Sequence, residues 1–106
     1  MSEAKLKSYL MQMLSSHFQI RPEVEGTFIP YGTKVILNYL MYPKPHLIER
    51  GFDPVWFGVE VKWPGGRGGG NPKGLRVAYQ AITYHWSEFD GEMPAFVVIY
   101  PGPDEF

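Results

Sequence analysis

The chain has 106 residues, a formal net charge of −1 and no cysteine. That length suits one domain with one modest core, and the missing thiols exclude a disulfide scaffold, a cysteine-ligated zinc site and cysteine nucleophiles. Hydrophobic residues make up 44% and aromatic residues 16%, the composition of a folded domain. No apolar run nears the roughly 20 residues of a membrane span and no signal peptide opens the chain. The expectation is a single cytoplasmic domain over residues 1–106.

Residues 2–18 read as a first helix, with Ser2 as N-cap and Glu3 in the first turn, where negative charge suits the helix dipole. Leu6, Leu10, Met13, Leu14 and His17 recur at three- and four-residue spacing, with Met11 widening the stripe. Residues 18–24 alternate as an edge strand ended by Gly26. Residues 33–42 form a second strand with apolar residues on both faces and one polar interruption, Asn38, whose amide needs partners if buried. Residues 43–54 carry three prolines and a short helical turn at 46–50.

Residues 55–63 form the third strand, and within it Gly58-Val59-Glu60-Val61-Lys62-Trp63 places Glu60 and Lys62 on one face. Glutamate and lysine are poor strand formers. The pair either marks a solvated or edge face or serves chemistry. Residues 64–74 follow with six glycines, two prolines, Arg67 and Lys73, but no Gly-Lys-Ser/Thr tail of a P-loop. Residues 75–86 form a second helix with Leu75, Tyr79, Ile82 and Trp86 inward and Gln80 and Tyr84 nearby; residues 94–100 read as an apolar strand of the kind buried at a sheet centre. The fold class is α/β, a mixed sheet flanked by helices in the order α-β-β-β-α-β. Charge is segregated: from Val61 to Ser87 every formal charge is positive (Lys62, Arg67, Lys73, Arg76), and from Glu88 onward every one is negative. A neutral total can thus hide a basic surface able to meet phosphates.

With Glu60-Val61-Lys62 on the third strand of this element order, the chain resembles the PD-(D/E)XK, restriction-endonuclease-like nuclease superfamily. The family carries an acid on the second strand and Glu-x-Lys on the third. The match spans nearly the whole chain and extends to Gln80 and Tyr84 on the second helix. The resemblance implies a DNA nuclease in which Glu60, the second-strand acid and the Val61 carbonyl bind Mg²⁺, with Mn²⁺ able to substitute. Lys62 would activate water or stabilise the pentavalent phosphorus. Arg67, Lys73, Arg76 and Tyr84 would meet DNA. Size and motif are similar to compact bacteriophage nuclease modules, which implies a host cytoplasm, and a homodimer would enlarge the binding surface.

The acidic position departs from the family pattern. Asn38 stands where the strand-borne aspartate would fall, supplying a neutral oxygen and leaving one firm anionic ligand. Asp53 is the other candidate, but an extended segment would separate it from Glu60 by on the order of 23 Å at about 3.3 Å per residue. Glu23 or Glu3 could restore the missing charge. The alternative is a nuclease-derived module that binds DNA or a protein without cutting. His17, His46 and His85 show no ligand spacing, and Trp56, Trp63 and Trp86 suit either base stacking or the core.

Overall fold

A computed structural model of the chain describes residues 3–61 and 83–100. In chain order the elements are α1 (Glu3–Leu14), β1 (Phe18–Phe28), β2 (Thr33–Pro43), α2 (Pro45–Glu49), β3 (Phe57–Val61), β4 (Ser87–Phe89) and β5 (Val97–Tyr100). One five-stranded mixed sheet results, ordered β4-β1-β2-β3-β5. The β1–β2, β2–β3 and β1–β4 pairs are antiparallel, and β5 runs parallel to β3. Among the described residues no helix is long and apolar enough to cross a membrane.

Helix α1 buries Leu6 and Leu10 against Tyr39, Met41, Val59 and Val61, with Met11, Leu14, Phe18, Ile20 and Phe57 at the margins. Met13, expected on that stripe, is exposed, because Met11 and Leu14 occupy the sheet-facing side in its place. The helix stops at Leu14, so His17 lies in the turn before β1. The opposite sheet face packs Val24, Leu37, Leu40, Tyr84 and Phe89, flanked by Val35, Trp56 and Val97.

Strand β1 does not end at Gly26. It continues to Phe28, and its last three residues pair with β4, a strand too short to register as a periodic pattern. A side chain at Gly26 would collide with the Phe89 ring and the Glu88 carbonyl, so glycine here permits close passage of β4. Among the described residues, residues 18–25 of β1 are therefore paired on one side only. The apolar C-terminal strand, by contrast, is shorter than expected and lies beside β3 at the end of the strand order, not at the sheet centre, with Val98 41% exposed. Strand β3 begins at Phe57, two residues later than its apolar run.

Helix α2 starts at Lys44 with proline in its first turn. It ends in a Schellman arrangement: Gly51, at φ +105°, donates to the Ile48 carbonyl, and Phe52 donates to Leu47. Thr83–His85 are helical; the rest of the helix expected over residues 75–86, up to residue 82, lies outside the described residues.

One row of the sheet breaks the rule of alternation. Phe18 and Ile20 on β1, with Tyr39 and Met41 on β2, pack toward α1. Val24 on β1 and Val35 and Leu37 on β2 pack on the other face. Strict alternation would keep Val24 with Ile20 and Leu37 with Tyr39. Both strands change face at the same place, between the pairs Pro22↔Tyr39 and Val24↔Leu37, without losing register. The pair skipped by the ladder is Glu23 and Asn38, and Glu23 sits at φ +48°, left-handed for a non-glycine residue.

Candidate functional site

The β2–β3 ladder closes at Tyr39↔Val59, and the next residues in that register are Asn38 and Glu60. They are joined through side chains. The Asn38 backbone N–H donates to Glu60 Oε1 at 3.1 Å, and the Val61 N–H donates to Asn38 Oδ1 at 2.8 Å. Each side-chain oxygen takes the place of a carbonyl acceptor in the gap where the strands part. Both residues are buried, Asn38 at 8% and Glu60 at 5% exposure. A buried backbone donor without an acceptor costs about 1–3 kcal/mol, so this clasp holds the strand ends together as well as presenting oxygens.

Tyr84 closes one side of the clasp. It is buried among Leu37, Leu40 and Phe89, and its hydroxyl donates to the Ile36 carbonyl at 3.0 Å. Burial raises the Tyr84 pKa above its ordinary value, and the charge of Glu60, a hydrogen bond to that carboxylate and the charge of Glu23 push it the same way. The hydroxyl thus has the Ile36 carbonyl as its acceptor, with the Glu60 carboxylate close by. Burial also raises Tyr39, opposed by Lys7 and reinforced by Glu23.

A pH dependence follows, with its sign fixed by these shifts. The unfolded chain loses its tyrosine protons first once pH passes about 10. Stability is therefore complete below that point and falls as pH rises toward the folded-state value. Urea midpoints measured from about pH 8 to about pH 11 are expected to fall in the parent and to fall less steeply in Tyr84→Phe. The variant starts lower, because the Ile36 carbonyl loses its donor. Equal slopes would show that the hydroxyl does not ionise differently in the folded and unfolded chains.

Glu23 lies across β2 from Glu60, opposite Asn38 in the β1–β2 register. It is exposed and ion-paired with Lys7 at 3.3 Å. Glu23, Asn38 and Glu60 thus occupy one row over three adjacent strands. A positive φ at a non-glycine residue is a strained state retained where surroundings impose it. The sequence expectation that Asn38 and Glu60 meet agrees with this placement. Asp53 does not join them: it is exposed in the loop before β3, at the end of that strand away from Glu60. Glu3 is exposed in the first turn of α1.

Tyr84 is corrected in role. Expected at a DNA surface, it is a core residue that supports Glu60, because the helix end turns its ring beneath the sheet and spends the hydroxyl internally. Lys62, Arg67, Lys73, Arg76 and Gln80 lie outside the described residues. Among the described residues no three His, Cys, Asp or Glu side chains group as metal ligands. A metal here would draw on Asn38 and backbone oxygens as well as carboxylates.

Two clusters escaped sequence reasoning. The Arg21 guanidinium lies 4.4 Å from the Trp56 ring centroid and 3.3 Å from Asp90, joining β1 to the segments before β3 and after β4. Cation–π stacking and a part-exposed ion pair make this a structural clip worth about 1 kcal/mol. The second is His17 with His46, whose ring nitrogens are 2.9 Å apart. The pairing Phe18↔Pro43 brings those two histidines to one end of the hairpin.

The chain matches no family model, no curated protein and no solved structure.

Proposed function

We propose that this chain is a restriction-endonuclease-like domain whose Glu60–Asn38 site serves metal-dependent phosphodiester hydrolysis on DNA. The observation that carries the reading is the clasp itself: Glu60 and Asn38 from adjacent strands are bonded across one gap, with Glu23 in the same row. The connectivity supports it as well. A helix precedes an antiparallel β1-β2-β3 meander, and β5 lies parallel to β3 after a segment with helical residues, matching the family order. Strand β4 is an addition at the far edge.

The donor set is compatible with Mg²⁺. It consists of oxygens alone, which hard cations require, and a carboxylate offers about four lone-pair sites. Glu60, Asn38 and the Val61 carbonyl would hold the ion, with Mn²⁺ as substitute; Glu23, in the same row, would have to leave its Lys7 partner on the α1 side to join them. When bound, the ion would orient a water and offset charge on the scissile phosphate. Tyr84 and the Asn38 backbone N–H fix the Glu60 carboxylate so that little reorganisation is needed on binding. Lys62, two residues after Glu60 in the sequence, would activate the water or stabilise the pentavalent phosphorus. Arg67, Lys73 and Arg76 would attract the phosphate backbone. A homodimer would enlarge the DNA surface of so small a domain.

The test is nicking of supercoiled plasmid in Mg²⁺ or Mn²⁺ by the parent and by Lys62→Ala. Nicking that EDTA and Lys62→Ala each abolish is the expected result. Asn38 gives a second reading specific support, since a neutral amide weakens a Mg²⁺ site: a binding module that retains the nuclease fold. Inert protein that retards DNA with steep salt dependence would favour that module; inert protein without DNA binding would remove both readings.

A further inference from the structure

Outside the clasp, His17 and His46 are the one described pair of metal-ligating side chains held within bonding distance of each other. His17 Nδ1 and His46 Nε2 are 2.9 Å apart, and both residues are exposed. Their contact is set by backbone. The His17 carbonyl accepts the Lys44 N–H at 3.0 Å, next to the last β1–β2 pair, Phe18↔Pro43. Two exposed imidazoles gain little from a mutual hydrogen bond in water, whereas a preset nitrogen pair lowers the ordering cost of chelation.

Held near this separation, the two nitrogens fit one class of ion. With metal–nitrogen bonds of about 2.05 Å, two nitrogens 2.9 Å apart subtend about 90° at the metal. Tetrahedral zinc would want them about 3.3 Å apart. A right angle is the square-planar or tetragonal arrangement of Cu²⁺ and Ni²⁺, for which imidazole is a suitable ligand. We propose that His17 and His46 form a two-nitrogen chelate for a divalent copper or nickel ion, with solvent in the remaining positions. The ion replaces the proton shared between the rings. That proton moves to the other nitrogen of its own ring, so each imidazole stays neutral and none is released. Each lone pair then points about 45° off the nitrogen–nitrogen line, a ring rotation open to exposed side chains. Mg²⁺, which prefers oxygen, does not compete here, and the proposal stands independently of the phosphodiesterase reading.

The experiment is titration of the full chain with CuCl₂ in a non-coordinating buffer, read by calorimetry and by electron paramagnetic resonance. One tetragonal Cu²⁺ per chain with two nitrogen ligands is expected. His17→Ala and His46→Ala should each weaken binding by about tenfold or more and remove one nitrogen from the spectrum. His85→Ala should leave both unchanged. Circular dichroism verifies folding, and His17→Gln replaces His17→Ala if the latter unfolds. Unchanged affinity in the His17 and His46 variants, or an equal loss in His85→Ala, would overturn the assignment.

Discussion

Leu40→Ala is expected to lower the stability of the folded chain by about 2–5 kcal/mol, read as a fall in the urea midpoint. Leu40 is fully buried on β2, which is paired on one side with β1 and on the other with β3. Its side chain belongs to the cluster of Val24, Leu37, Tyr84 and Phe89, so truncation opens a cavity beneath the residue that supports Glu60. Domains of this size hold about 5–15 kcal/mol in total, so the loss is a large fraction of the whole. Ile36→Ala, on the same strand but 47% exposed, is the control and should cost well under half as much. Amide exchange at Val61, whose N–H is held by Asn38, should quicken in Leu40→Ala before global unfolding. Equal costs for the two variants would mean that this face is not a packed core.

Much of this architecture is legible in the residues, and the parts that are not share a cause. Residues 33–42 announce a covered strand because both alternating sets are mostly apolar, and the strand is there, one residue longer. The meeting of Asn38 with Glu60 is what the resemblance implies, since the family sets an acid on the second strand beside Glu-x-Lys on the third. The clasp is not implied, since it depends on two side chains displacing carbonyls from the ladder. Strict two-residue periodicity also hides the change of face at Glu23 and Asn38, where a left-handed backbone resets which residues point inward. Strand β4 has three residues, too few to show a period. The apolar run before Tyr100 says that the segment is sheltered, and cannot say whether one or two strands flank it. His17 and His46 stand 29 residues apart, a separation that only hairpin register closes. Local pattern reads the elements; the long-range pairings decide the site.

Asn38→Asp separates a metal site from a structural clasp more sharply than any deletion. The substitution keeps shape and keeps an oxygen for the Val61 N–H, but buries a second negative charge directly across from Glu60. Without a cation that charge is uncompensated, and a loss of about 3 kcal/mol is expected in EDTA. If the row formed by Glu23, Asn38 and Glu60 is a cation site, millimolar Mg²⁺ should return most of that loss, because ligand binding to the folded state adds stability by mass action. The added carboxylate should also tighten Mg²⁺ binding and raise plasmid nicking well above the parent, with Lys62→Ala removing the gain in the double variant. Asn38→Ala sets the baseline: it orphans the Val61 N–H for about 1–3 kcal/mol and should not respond to Mg²⁺. Should Asn38→Asp be destabilised to the same degree with and without Mg²⁺, the oxygens of this row serve the strands alone, and the phosphodiesterase proposal fails at its centre.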